Sequence, residues 1–318
     1  DGLEAKVGEL EATQFSTTTK LSGYSAWVVG AAEGFTDDAN EALTFNYDLR
    51  LTLETSFTGK DMLTTRLRSG NFGDSIFSQG LTFVETASST GGNVVIDRLF
   101  YTFPVGESLT VTVGPNVRMD DAGMLGGYAT AYPSDLLLDF FTYAGGTTTT
   151  NLAGSGAGVG AVWALAPGFT LSGNYVAYTG GADSSIGIGS DETGSVSAWQ
   201  LMYSAEQLGG NVTAAAMYSY EQNFGLTIGT TAANALPVAE RNSWSIAGSW
   251  APLESGLMPS VSTGYGYSDV SETSDNIQTW YVGLEWSDVF VEGNSLGGAI
   301  GQAPYVIGND EDEENYLW

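Results

Sequence analysis

The sequence predicts an all-β fold, a transmembrane antiparallel up-and-down β-barrel, and three observations predict it. The first is strict alternation in "ALTFNYDLRLTLETSF". From Leu43 to Leu53 every odd position is apolar and every even one polar or charged, the period of a strand whose successive side chains point to opposite faces. The second is the ordering of the connections, compact turns alternating with long polar loops. The third is the placement of aromatic residues on one face of several strands. Alternation alone leaves two readings. A soluble sheet turns its apolar face to a core, whereas a membrane barrel turns it to lipid and its polar face to a wet lumen.

Composition narrows the classes. The 318 residues contain neither cysteine nor histidine, which removes disulfide frameworks, thiol nucleophiles, Cys/His zinc sites and histidine acid–base chemistry. No cofactor is expected. A formal charge of −28 repels nucleic acid, whose binding depends on cations meeting phosphate, so that partner is excluded. Charged residues are only 14%, against about a quarter in ordinary soluble proteins. No apolar run approaches the ~18 to 20 residues of a spanning helix, so a membrane-embedded structure must be a closed barrel. The opening "DGLEAKVGEL" lacks the basic and apolar stretches of a signal peptide, and the chain reads as mature or trimmed.

In chain order, residues 1–16 form a short linker in which Leu3, Val7 and Leu10 of "LEAKVGELEA" share a helical stripe; one and a half heptads are too few to stand alone. Residues 17–318 are the barrel domain. Strands are expected at 17–30, 42–57, 61–70, 94–104, 108–116, 156–165 and 168–178, from alternation and from β-branched or aromatic enrichment. The series continues at 196–204, 211–221, 243–251, 258–268, 279–289 and 294–303, and another strand begins at "NYLW". The turns "TGK", "PVGES", "LAPGF", "SAEQLGG", "APLESGLM" and "DVFVEGN" are compact. Between them lie 31–41, 70–93, 117–155, 179–195, 222–242, 269–278 and 304–314, all polar or glycine-rich. Short and long alternate without exception, as in outer-membrane barrels with short periplasmic turns and long extracellular loops. A sandwich has no reason to sort its loops by parity. The aromatic residues agree: Trp244 and Trp250 share a face, as do Trp280, Trp286 and Phe290. Ten residues rise ~33 Å along a strand, or roughly 25 Å once tilted, the height of a lipid-facing band between aromatic girdles.

"RLFYTFPVGESLTVTVGPN" (Arg98 to Asn116) and "WSDVFVEGNSLGGAIGQAP" (Trp286 to Pro304) resemble the OprB-type carbohydrate-selective porin family, in particular its cyanobacterial branch. The likeness runs from about Thr17 to Trp318. The resemblance implies sixteen strands when complete, so that C-terminal strands are missing from this chain, and a homotrimer in outer-membrane lipid with a periplasmic N-terminus. It further implies a coiled coil, of which "LEAKVGELEA" is a remnant, and attachment to the cell wall through an N-terminal S-layer homology domain, although no such domain precedes Asp1. It also implies that the third long loop folds inward and narrows the channel.

Pore chemistry follows from the bases. Seven of the nine Lys and Arg lie between residues 20 and 118. Alternation turns Arg50, Arg66, Arg68 and Arg98 toward the lumen, a basic ladder on neighbouring strands. Loop 117–155 carries Asp120, Asp121, Asp135 and Asp139 against Arg118 alone. The expected constriction therefore comprises Asp48, Arg50, Arg66, Arg68, Arg98, Arg118, Asp120 and Asp121, an acidic loop facing a basic wall. The alternative is that these arginines only pair with lumen acids such as Asp48 and Glu54. No metal is expected; Asp310, Asp312 and Glu314 in "NDEDEEN" form a weak calcium candidate lacking defined spacing. "GSGAGVG" lacks the lysine and helix of a phosphate loop and reads as small residues easing packing. Asp48 and Glu54 stand ~20 Å apart along a strand, too far for glycoside hydrolysis. No convergent catalytic set is visible, so the chain is not expected to be an enzyme. The function expected is passive diffusion of small hydrophilic solutes and inorganic ions; the competing class is a soluble or cell-surface adhesin or scaffold without a channel.

Overall fold

The structure is a computed structural model and describes residues 18–31, 42–78, 80–127, 138–142, 154–226, 228–237, 240–309 and 316–317. Its strands are β1 (Thr18–Gly30), β2 (Thr44–Ser56), β3 (Met62–Gly70), β4 (Val95–Val105), β5 (Leu109–Arg118), β6 (Ser155–Ala166) and β7 (Phe169–Ala177). They continue as β8 (Ser195–Gln207), β9 (Gly210–Gln222), β10 (Glu240–Pro252), β11 (Ser260–Val270), β12 (Asn276–Ser287) and β13 (Ser295–Val306). All thirteen join one antiparallel sheet in chain order, the up-and-down meander that alternation and turn chemistry require. Past β13, Leu317 exchanges two backbone hydrogen bonds with Gly301, at 2.8 and 3.0 Å, where a further strand was expected to begin. Among the described residues no helix is long and apolar enough to cross a membrane.

The two faces sort as the alternation predicts. On β1 and β2, Trp27 is 74% and Phe45 64% exposed, whereas Asn46 and Asp48 beside them are 5% and 0% exposed. The same outward set continues through Trp163, Trp199, Trp244, Ile246, Val282 and Leu284. At the long-loop end, aromatic rings meet side by side across strands: Trp27 with Phe45, and Tyr218 with Trp244 with Tyr267, at 5.7 to 6.3 Å between centroids. At the short-turn end Tyr101 stacks on Phe103, and Phe169 meets Tyr203 at a tilt of 45°. These are the two girdles. On β12 they are Trp280 and Trp286; Phe290, expected on the same strand, lies in the following turn with a φ of 65°.

The hairpin turns owe their tightness to side chains. Between β2 and β3 a single carboxylate organises the turn. Asp61 accepts from the Phe57 and Thr58 backbone and from the Ser56, Thr58 and Tyr101 hydroxyls, at 2.5 to 3.1 Å. The Tyr101 hydroxyl, first, and the turn donors hold the Asp61 carboxyl well below the ordinary carboxylate range.

One expectation is corrected. Loop length does not alternate to the end of the chain: the expected loop 269–278 contracts to 271–275, while the "short" connections 253–259 and 288–294 are longer than it. The physical reason is that β11 and β12 pair as far as Asp269 with Asn276, because polar residues on the inner face of a barrel strand are no obstacle to ladder hydrogen bonding. Polarity therefore marks loops poorly in such a sheet.

Candidate functional site

Three neighbouring strands bring the arginines together. Pairing sets Arg50 of β2 opposite Arg68 of β3, and Arg66 of β3 opposite Arg98 of β4. Like charges directly opposite are unfavourable, and two carboxylates are interleaved with them. Asp48, fully buried, accepts from Arg50 Nε at 2.7 Å and from Arg68 Nε and Nη2 at 2.8 and 3.0 Å. Asp97 accepts from Arg66 Nε at 2.5 Å and stands 3.3 Å from Arg98 Nη1 and 3.8 Å from Arg68 Nη1. The guanidinium of Arg50 also lies 5.2 Å from the Tyr24 ring centre, a cation–π contact.

Asp97 is a site residue that sequence reasoning missed. Simple alternation sends it to the lipid side with Leu99 and Tyr101. The structure pairs Arg66 with Arg98 but Leu67 with Ile96, so Asp97 is the extra residue of a β-bulge, and the bulge turns its carboxylate inward. A signal was present: a lone carboxylate on an otherwise apolar parity has no acceptable place in lipid.

The third long loop follows β5, and its first described stretch, residues 119–127, lies along the inner face. The amide of Asn174 donates to the Met119 and Met124 carbonyls at 3.1 and 2.9 Å, Thr112 Oγ1 to the Ala122 carbonyl at 2.8 Å, and Gln200 to the Gly127 carbonyl at 2.9 Å. Met119 and Met124 are fully buried beside Val117, Phe100, Val176 and Val196. "GSGAGVG" supplies the seat for this stretch. A Cβ at Gly160 would stand 2.7 Å from Met124 Sδ and 2.9 Å from Met124 Cα, and one at Gly158 2.8 Å from Val117 Cγ1. Gly160→Val is accordingly expected to lift Met124 off β6 at a cost of about 1–3 kcal/mol, the usual range for overpacking. Thermal unfolding in detergent checks this, with a lowered midpoint and unchanged strand content as the expected result.

Where described again, the loop has reached other partners. A one-turn helix, Asp139–Thr142, packs Phe140 and Phe141 against Tyr281 of β12, Ala303 of β13 and Ile228. Phe141 and Tyr281 meet edge to face, 6.2 Å between centroids. Leu138 bridges Val84 of the second long loop, 71–94, and the Asp139 N–H donates to the Phe83 carbonyl at 3.0 Å.

The charged sets meet instead of standing apart. Asp121 of the loop lies 2.6 Å from Arg98 Nε, a charge contact that is not aligned as a hydrogen bond. Burial raises the Asp121 carboxyl, and Arg98 opposes that rise. Asp120 pairs with Arg118, accepting from its Nη2 at 2.7 Å. Asp48 with Arg50 and Arg68, and Asp97 with Arg66, Arg98 and Asp121, thus form one continuous cluster, which the Arg118 backbone N–H, donating to Asp121 at 2.7 Å, joins to the Arg118–Asp120 pair. On the other wall Arg241 is engaged by Glu221, its cross-strand neighbour. Asp135, Asp310, Asp312 and Glu314 lie outside the described residues, and among the described residues no group of three or more acids is placed to hold a metal.

One meander with apolar side chains outside, ionised ones inside and a long loop laid along its inner wall defines a porin-type protein of the outer membrane. The chain belongs to the OprB family of carbohydrate-selective porins, whose family model matches residues 1–315. An uncharacterized protein of Synechocystis sp. is 30% identical over 342 aligned positions, 98% of this chain and 62% of the relative. An uncharacterized protein of Nostoc sp. is 48% identical over 118, 33% of this chain and 20% of the relative. The chain therefore spans only part of the curated relatives it matches. A high-pH structure of Pseudomonas putida OprB superposes with a TM-score of 0.59 at 13% identity, covering 96% of this chain and 78% of that one, a likeness of fold.

Proposed function

We propose that this chain forms a passive diffusion channel for small hydrophilic solutes and inorganic ions, narrowed where the third loop meets the arginine ladder. One observation carries the reading. The arginine ladder and its carboxylates are enclosed on the inner face, while Trp27, Phe45, Trp199, Trp244 and Ile246 look outward; a water-soluble adhesin would bury that face. Family membership supports carbohydrate among the solutes. At the neck five arginines interleave with Asp48, Glu85, Asp97, Asp120, Asp121 and Asp139, a nearly balanced set that selects mainly by width and by ordered dipoles.

Three finer points belong to the same proposal. A homotrimer is supported by the family. Closure of the wall by strands following Leu317 is supported by its pairing with Gly301. A periplasmic N-terminus is supported by the pairing of Thr18 with Ser56, which opens β1 at the short-turn end. The test is single-channel recording of detergent-extracted protein in planar bilayers under asymmetric salt, then with added sugars. Discrete conductance steps that sugars reduce are expected; folded protein that inserts and never conducts would overturn the reading.

A further inference from the structure

The outward face carries a bay that no part of the channel uses. It lies over β9, where small residues interrupt the band of large ones. Ala216 forms its floor, with Leu201 of β8 and Ile246 of β10 opposite it on either side. Tyr218 and Trp244 close the end toward the long loops, Tyr265 stands beyond Ile246, and the cavity measures about 560 Å³. Toward the short turns the trough runs on over Ala214 and Gly248, where a Cβ on Gly248 would meet no atom beyond its own neighbours nearer than 3.6 Å, and it ends at Trp250 beside Val212. Trp199, above Leu201 on the β8 wall, leans away: a Cβ on Gly173 of β7 would stand 2.6 Å from two carbons of the Trp199 ring. The tyrosines point their hydroxyls elsewhere. Tyr218 donates to Asn242 Oδ1 at 2.7 Å and Tyr265 to Gln278 Oε1 at 3.1 Å, both toward the long loops.

We propose that this bay holds one acyl chain of a lipid in the leaflet on the long-loop side, and that the lipid's head carries no net negative charge. Length and width fit a single chain. From Tyr218 to Val212 the strand rises ~20 Å, or roughly 15 Å once tilted, the depth of one leaflet. The ridges on β8 and β10 are two strand spacings apart, about 9.5 Å, which leaves one hydrocarbon chain a contact distance of ~4 Å on each side. Position fits as well, because the bay opens directly below the girdle of Tyr218, Trp244 and Tyr267, where a head group gives way to its tails. Against bulk lipid the gain is close packing in a preformed hollow, not hydrophobic burial. The head is selected by charge. Glu240 and Asp269, both exposed, follow Asn242 and Tyr267 toward the long loops on the same outward face. Arg241, the only Lys or Arg after residue 118, is turned inward against Glu221. An anionic head at the mouth meets acids and no cation.

Native mass spectrometry of the full chain tests this, after insertion into vesicles of equal parts phosphatidylcholine and phosphatidylglycerol and extraction into mild detergent. The wild type is expected to keep one phosphatidylcholine per chain, favoured over phosphatidylglycerol by about threefold or more in dilute salt. Ala216→Phe fills the floor, and Gly173→Ala pushes Trp199 off β7 toward the trough. Each is expected to lower that occupancy by about tenfold, through lost packing alone. Val282→Phe, on the outward face of β12, is expected to keep it. Circular dichroism checks the strand content of every variant, and if one filling variant does not fold the other decides. A wild type that keeps no lipid, or keeps both lipids alike, overturns the proposal, as does undiminished phosphatidylcholine in the folded filling variants. A changed number of chains per particle in Ala216→Phe overturns it too, since the bay is then a contact between copies. The wild-type ratio of the two lipids needs no variant, and no readout depends on conduction.

Discussion

The Arg66→Glu, Arg68→Glu double variant is expected to turn a nearly balanced neck strongly cation-selective. Each exchange replaces a positive by a negative charge, so the inner wall of β3 changes by four units. A unit charge ~6 Å from the ion path is worth about 0.7 kcal/mol even at the dielectric of water, or about threefold in relative permeability at 1.4 kcal/mol per decade. Four such units give about a hundredfold in dilute salt, reduced as salt screens them. Reversal potentials in a salt gradient measure it. The structure adds a test of sign. Asp97→Asn removes the carboxylate that neutralises Arg66 and Arg98, and is expected to shift selectivity the opposite way, toward anions, by about threefold. Unchanged selectivity in both would mean that ions pass elsewhere than along this wall.

Truncating the aromatic anchor of the third loop is the second large effect. Phe140 and Phe141 are 1% and 4% exposed and fill the space between the second loop and the β12–β13 wall, against Tyr281, Ala303 and Phe83. Removing a buried phenyl costs about 3–5 kcal/mol, so Phe140→Ala with Phe141→Ala weakens docking by at least about a hundredfold. The sheet itself, held by its ladder, is expected to remain folded. Single-channel conductance is expected to rise and block by larger sugars to weaken, because Asp139–Thr142 is no longer held against the β12–β13 wall. An unaltered conductance with an unaltered sugar cut-off would show that this segment does not limit the pore.

The inward placement of Asp48, Arg50, Arg66, Arg68 and Arg98 was legible in the sequence because it follows from parity alone. Asp97 was not read correctly, since a bulge is a pairing event between two strands and shifts parity without marking the sequence beyond one misplaced acid. The pairings of Asp121 with Arg98 and of Leu138 with Val84 join a loop to a wall and a loop to another loop. Neither has a period from which it could be read. The glycines of "GSGAGVG" were read as packing residues, but that Gly160 admits Met124 only the folded loop reveals.

The sequence by itself determined the strands, their order and, away from the bulge at Asp97, which of their side chains face outward, because period two is a property of each strand regardless of its partners. Tertiary structure alone decided how charge is balanced at the neck and where the third loop rests. Those outcomes depend on distances between residues remote in the chain, set by register, by a bulge and by the burial of two phenyl rings, and no local pattern encodes such distances.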